Sequence, residues 1–406
     1  MDVRPNSKLC RFDVKAVLIA LGACVASSLA AAPARAADEI VVGASLPLSG
    51  PLAGFGSFQQ WGYKRAVEEA NKAGGIVVGG KALPVRLVLR DDKTDPNTSA
   101  GNIETLISRD KAAALLGSCT TPLVVAGALV AERHKVPMVT ACEPLETFRG
   151  VRRWTYVWDL FFDEPDLAHA PFGVLHDLAL ATNKKVAILY DNGPDGKVVG
   201  GQIWPEMAKQ AGLEVVQSAA FPADNTQFTS IIAEAKAKDA EIILIDVITP
   251  QAIAIRKQMA AAGYTPKFID IERGAEPAQF AAALGKLADG VLVGGYWDPS
   301  FPFPGAAGLA KAFEAETGQG SSQHIADSYA VAVVMLDAIR AAASTDPAAI
   351  NAALAKTDTM TVVGPIRFDG THTAKLPMVS VQWQAGKTVV VWPEGQATGK
   401  VLFPAP

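Results

Sequence analysis

The sequence predicts an α/β protein made of mostly parallel sheets flanked by helices. Three observations carry this. Short runs rich in Val, Ile, Leu and Ala recur along the chain, nearly continuous as strands covered on both faces are. Amphipathic segments of helical period lie between them. Strand–helix repetition of this kind implies parallel sheets with right-handed crossovers.

Residues 1–36 read as a targeting segment rather than as part of the fold. Arg4, Lys8, Arg11 and Lys15 precede an apolar, uncharged run over 16–32, and Ala34-Arg35-Ala36 fits cleavage before Ala37. Two other readings stand beside this one. An uncleaved anchor would need a run of about 20 residues, longer than this one. A lipoprotein would be acylated at Cys24, within Leu21-Gly22-Ala23-Cys24.

Strands are expected at 40–44, 85–89, 113–116 and 137–140, a run that ends near Arg153. Between the second and third of these, Asp95-Pro96-Asn97-Thr98 opens a helix with Ile103, Leu106 and Ile107 on one face. An aromatic and acidic stretch follows, over 154–166. A second run begins near Lys184, with strands at 186–190, 214–218, 242–247, 268–271 and 291–294. Within it Phe228, Ile231, Ile232 and Ala235 follow i, i+3, i+4, i+7. Near the end the pattern changes. Residues 379–384 and 388–392, split by Ala385-Gly386-Lys387, read as a β-hairpin. The residues alone therefore give two α/β domains.

Composition bounds the function. The 406 residues suit about two domains, and 50% of them are hydrophobic, enough for a large core. Residues 1–36 hold five of the 37 basic and two of the 41 acidic residues, so the remainder has 32 against 39, a net of −7. Such a balance provides no basic footprint for nucleic acid or anionic lipid. Of four cysteines, Cys119 and Cys142 remain, each expected just past a strand end. In an oxidising compartment they can bridge. They can equally be two small buried residues lining a pocket. A metal site is disfavoured because no histidine lies near them at ligand spacing.

Enzyme signatures are missing. The chain has no Gly-x-Ser-x-Gly elbow and no phosphate-binding Gly-x-x-x-x-Gly-Lys loop. Gly50, Gly54 and Gly56 do not form a dinucleotide fingerprint, departing from it at Gln59. Histidines 134, 169, 176, 324 and 372 make no His-Glu-x-x-His pair. Asp91-Asp92 are adjacent at a strand end and point to opposite faces, which suits loop capping better than paired acid–base work.

Several segments resemble the leucine/isoleucine/valine-binding protein family of periplasmic solute-binding proteins. They are Ile40-Val41-Val42-Gly43-Ala44-Ser45-Leu46-Pro47-Leu48-Ser49-Gly50 with Phe55, Arg90-Asp91-Asp92-Lys93-Thr94-Asp95-Pro96, and Leu116-Gly117-Ser118-Cys119-Thr120-Thr121. Two more are Ala131-Glu132-Arg133-His134-Lys135-Val136-Pro137, followed by Val139-Thr140-Ala141-Cys142, and Gly364-Pro365-Ile366-Arg367-Phe368-Asp369. The resemblance implies a two-lobed periplasmic-binding-protein-like fold, its lobes joined by three crossover segments. The N-terminal lobe would be 37–157 with 298–362, and the C-terminal lobe 158–297 with 363–406. Crossings would fall near Trp158, near Trp297 and in 364–369, with the aromatic runs 154–162 and 296–299 packing as hinges or stacking on a ring.

The resemblance also implies ligand contacts. A strand-to-helix turn offers backbone N–H groups and a positive helix end, so a carboxylate would dock at Thr120 and Thr121, helped by Cys142-Glu143. The bland alternative is that both threonines only cap the helix. Glu272 stands where the family's amino-acid binders receive the ammonium. It could instead be an exposed loop carboxylate, and Arg273 beside it could neutralise it. Phe55 matches an aromatic covering the ligand. Asp195, Glu143 and His324 depart from the family pattern at cleft positions, and an inward Glu143 would repel a carboxylate. Each of the three could also be a solvated rim residue. These departures disfavour a branched-chain amino acid and fit a more polar amino acid, a diamine-like or amide ligand, or a small aromatic compound.

The expected function is solute capture in an interlobe cleft by hinge closure, for delivery to an inner-membrane ABC permease. The solute would be a small amino acid or related carboxylate-bearing molecule. No catalytic residue, metal or cofactor is expected, and the chain would be a periplasmic monomer. The other class is an extracytoplasmic ligand sensor of the same fold; the other ligands are an aromatic acid or an amide.

Overall fold

Each expected strand forms, because its apolar residues are needed on both faces of a sheet. A computed structural model describes residues 1–2 and 39–406. The expected cleavage site and Cys24 lie outside the described residues. The strands in chain order are β1 Ile40–Leu46, β2 Ile76–Val78, β3 Lys81–Leu83, β4 Val85–Asp91, β5 Ala114–Leu116, β6 Met138–Thr140, β7 Val157–Phe161, β8 Lys185–Asp191, β9 Glu214–Phe221, β10 Ile242–Val247, β11 Phe268–Arg273, β12 Val291–Gly295, β13 Asp358–Thr361, β14 Gly364–Arg367, β15 Thr373–Lys375, β16 Val379–Gln384 and β17 Lys387–Trp392.

A six-stranded sheet runs β15-β7-β6-β5-β1-β4, and every pairing in it is parallel. A seven-stranded sheet runs β17-β16-β12-β11-β10-β8-β9. Its pairings are parallel from β9 to β12 and antiparallel in the final hairpin, which is the one expected from 379–392. Two small antiparallel pairs, β2–β3 and β13–β14, complete the described strands.

Three segments behave differently from expectation. The aromatic stretch around Trp158 is not a bare connection, because β7 lies inside the first sheet between β6 and β15. Its parallel pairing hides Val157, Trp158, Leu160 and Phe161 in the core. Residues 364–367 pair only with β13. The chain goes from the first sheet to the second after Lys375, where β15 ends and β16 follows. The strands of the first sheet thus reach past the expected limits of 157 and 362.

Helices cover both faces of each sheet. On one face of the first sheet the Ala53–Lys72 and Gln323–Ala342 helices pack along each other. Gly62 permits this: a Cβ there would come within 2.8 Å of Ser328 Cβ and Tyr329 N. The other face carries the Pro96–Ser108, Thr121–His134 and Leu145–Val151 helices, with Ile103, Leu106, Leu115, Met138 and Val157 in the shared core. Asp95 caps the first of these by accepting from Thr98 N at 2.6 Å, as Asp-Pro at a helix start predicts. In the second sheet Ile243, Ile245, Ile269 and Ile271 pack with Phe228, Ile232 and Ile255 on one side. The Glu164–Asp177 and Trp204–Gln210 helices cover the other. Trp297 donates to Val362 O at 2.8 Å, and Trp158 stacks on His372 with ring centroids 3.6 Å apart.

Candidate functional site

The carboxyl ends of the parallel strands supply the site, as in open α/β sheets generally. Several non-glycine residues there have positive φ, among them Thr120 after β5 (φ 68°), Cys142 after β6 (φ 66°) and Arg273 at the end of β11 (φ 58°), with Lys93 and Thr94 after β4. Such backbone is strained for side chains with a Cβ and tends to persist where function requires it.

On the first sheet, Cys119 and Cys142 are joined by a disulfide with Cα atoms 4.9 Å apart. It ties the turn after β5 to the turn after β6. The helix at 53–72 braces the first turn: Gln59 Nε2 donates to Ser118 O and Tyr63 OH to Gly117 O, both at 2.8 Å. Ser118 Oγ in turn donates to the buried Asp92 at 3.0 Å. Burial raises Asp92 to about 6, against hydrogen bonds from Thr94 and Ser118. Its neighbour Asp91 accepts from Leu48 N, Ser49 N and Lys93 N, the capping role expected of this pair.

Thr120 makes no side-chain cap, so the capping alternative for it does not hold. Leu123 N and Val124 N both donate to Thr120 O, and Pro122 has no N–H. The first turn therefore offers fewer donors to a carboxylate than a strand-to-helix turn suggests. Thr121 is buried, and its hydroxyl donates to Asp195 Oδ1 of the Pro194–Val198 helix, which follows β8 in the second sheet. This contact joins the rims of the two sheets.

Arg273 organises the second rim. Its guanidinium meets Asp246 Oδ1 at 2.5 Å, Asp191 Oδ2 at 2.9 Å and Asp195 Oδ2 at 3.4 Å. Burial lowers its pKa, but the three carboxylates outweigh that and raise it. Burial raises Asp246 to about 6 even with Arg273 opposing. Arg273 thus turns away from Glu272 and does not neutralise it. Both Glu272 oxygens accept from Gly294 N at 3.0 Å, and the side chain is fully buried, not an exposed loop carboxylate. Burial, then Asp270, Glu276 and Asp246, raise its pKa. Adjacent Asp270 is raised to about 8 by burial.

His324, at the start of the 323–342 helix, is 1% exposed, so it is no rim residue. Its Nδ1 lies 2.9 Å from Asp327 and 3.0 Å from Tyr296 OH, and its Nε2 contacts Glu276. Burial would lower its pKa, yet Asp327 and Glu276 raise it to about 10, so the ring is an imidazolium near neutral pH. Phe55 meets it edge-on with centroids 5.0 Å apart. The fold brings His324 to the two cysteines, with ligand atoms within 4.8 Å of one another, although none lies near them in sequence. With the sulfurs paired to each other, they are not thiolate ligands.

Glu143 and Asp195 point inward. Glu143 is fully buried beside Thr121, with Asp195, Asp159 and Glu164 as charged neighbours. Asp191, Asp246, Asp159, Glu276 and Asp327 were not singled out from the sequence. Asp191 and Asp246 carried a signal, as acidic residues closing otherwise apolar strands. A cavity of about 610 Å³ borders this cluster at Glu276 and is lined also by Trp297, Gln323, Trp383 and Lys387 among others.

The profile of the family described as periplasmic binding protein matches residues 39–388. A Leu/Ile/Val-binding protein homolog 8 from Brucella suis is 29% identical over 95% of this chain and 98% of its own length. Among solved structures, the branched-chain amino acid transporter substrate-binding protein LivJ of Streptococcus pneumoniae, in complex with isoleucine, has a TM-score of 0.77 at 23% identity. That match covers 88% of this chain and 100% of LivJ. A solute-binding protein of an ABC transporter from R. palustris, in complex with benzoate, has a TM-score of 0.74 at 20% identity, covering 87% and 96%.

Proposed function

We propose that this chain, which belongs to the periplasmic binding protein family, captures a small polar solute between its two sheets and delivers it to an inner-membrane ABC permease. Family and fold place it among binding proteins related to those for branched-chain amino acids. The observation that carries the finer reading is the Thr121–Asp195 contact, which closes the two rims on one another. Around it stand Phe55, Cys142, Glu143 and His324, all buried, with the half-buried Thr120. Glu272 lies deeper, on the Gly294 backbone.

In this reading each sheet is the centre of one lobe, with limits near 37–157 and 298–362 for the first and 158–297 and 363–406 for the second. The strand pairings favour giving β7 and β15 to the first lobe. Residues 1–36 direct export to the periplasm. The solute docks on one rim, and hinge closure brings the other rim onto it. An amino acid or related solute is the leading class, since the carboxylates of Glu143, Asp195 and Glu272 are among these residues and suit an ammonium. The closed form is then the form the permease reads.

A thermal-shift panel on the exported protein tests this, with amino acids, amides, diamines and aromatic carboxylates. A bound solute at about a thousand times its dissociation constant adds roughly 4 kcal/mol, so a hit moves the midpoint by several degrees. A folded protein that shifts with none of them, and from which denaturing extraction frees no solute, is not a solute carrier of this class.

A further inference from the structure

Glu143 is 0% exposed, and neither of its carboxylate oxygens meets a hydrogen-bond donor among the described residues. Its polar neighbour is Thr121, whose one hydroxyl proton is given to Asp195. The charges around it are Asp195, Asp159 and Glu164, all of its own sign. Asp159 is similar: it is 0% exposed, and no side chain among the described residues donates to its oxygens, the nearby donor being the Leu160 N–H. It faces Glu164 and Asp327, and the cation within reach, Arg149, is already bonded to Asp163. Glu164 itself is satisfied by the N–H groups of Glu146 and Thr147. Arg273 is shared among three aspartates.

An ionised carboxylate buried without a partner is strongly unfavourable, so it persists where something else supplies the partner. We propose that the captured solute is a small organic cation whose ammonium or guanidinium group seats on Glu143, with Asp195 and Asp159 completing an anionic cup. This rests on the solute-capture reading above and narrows it. The donor count fits at Glu143, because an ammonium brings three N–H donors and a guanidinium five to a carboxylate that lacks them, while Asp195, already bonded to Thr121 and Arg273, adds only its charge. A carboxylate fits poorly at the same place. Leu123 and Val124 N–H are spent on Thr120, Pro122 has none and the Thr121 hydroxyl serves Asp195, which leaves that first helical turn with the Thr121 N–H. An anionic solute would also face Glu143, Asp159 and Asp195 together. Burial and these like charges hold the Glu143 proton in the free protein. Seating a cation then releases that proton to solvent and leaves a carboxylate–cation pair.

Isothermal titration calorimetry on the exported protein, stripped by unfolding and refolding, tests this with arginine, lysine and putrescine against leucine, glutamine and benzoate. At least one cation is expected to bind more than about tenfold tighter than every neutral or anionic solute, a charge-assisted pair being worth that much or more. Its heat should differ between buffers of different ionisation enthalpy, reporting proton release. Glu143→Gln should weaken that cation by about tenfold or more and remove the proton release. Asp159→Asn should weaken it as well, which keeps a test should the first variant not fold. If leucine, glutamine or benzoate binds as tightly, or if the folded variants bind the cation unchanged, the inference falls and solute capture stands. If no solute binds and none is extracted, both fall.

Discussion

At Arg273 one guanidinium holds Asp191, Asp195 and Asp246, aspartates that close β8, lie in the first turn of the next helix and stand one residue before the end of β10. Replacing Arg273 with methionine strands three buried carboxylates around an apolar side chain. Breaking a buried pair in this way costs about 3–5 kcal/mol, so the urea midpoint of Arg273→Met should fall accordingly. Lysine should not rescue it, because one ammonium cannot span three strand ends as a planar fork does. Thr121 is the second residue to test. Its hydroxyl joins the rims, so Thr121→Val should weaken solute binding by about 1.5–3 kcal/mol, the usual worth of a hydrogen bond to a charged group. Unchanged affinity by calorimetry would remove Thr121 from the site.

Among the elements, the pair of twenty-residue helices at 53–72 and 323–342 does the most to hold the first rim in place. One braces the β5 turn through Gln59 and Tyr63, and the other carries His324 to Phe55. Their close approach depends on Gly62. Gly62→Ala puts a Cβ against the Tyr329 backbone nitrogen and should cost about 1–3 kcal/mol, as overpacking does, seen as a lower thermal midpoint. The strands of these sheets were legible because each is a short apolar run. β7 was not, since Trp158 and Asp159 break the run and its partner β15 lies more than two hundred residues away. Parallel pairing is long-range, and no local residue pattern announces a partner.

For the whole molecule, stability should depend on pH in an unusual direction. Asp92 and Asp246 are raised to about 6 and Asp270 to about 8, above an unfolded carboxylate near 4. The folded state therefore keeps protons that the unfolded chain gives up, and stability falls as pH rises from about 4 towards 8. His324, raised to about 10, adds the same sign. The stabilisation from its charged pairs is fully present below about 6.5 and is lost as pH rises towards 10. The midpoint of the ligand-free protein should thus drop from pH 5 to pH 9 in scanning calorimetry. A midpoint that climbs over that range would mean these carboxylates are ionised in the fold. Closure is the other global property that the proposed capture implies. Solute should reduce the radius of gyration in small-angle scattering, and Asp195→Ala, which removes the carboxylate linking the rims, should leave the ligand-free protein wider.

By itself the sequence determined the class of the molecule. Apolar runs at strand length, Asp-Pro before a helix and a hairpin split by Ala-Gly-Lys are local consequences of burial, capping and turn chemistry, and they came out where expected. The sequence also singled out Thr121, Cys142 and Glu143 just past strand ends, because strand-to-helix turns are local. Only the tertiary structure decided what those residues face. It sent Arg273 to three aspartates and away from Glu272, brought His324 to the cysteines, and left Glu143 and Asp159 buried without side-chain donors. Charge partnership is a matter of distance in space. Residues far apart in the chain meet only when two sheets are stacked strand by strand, and that arrangement sets whether a carboxylate is paired, protonated or waiting for a cation.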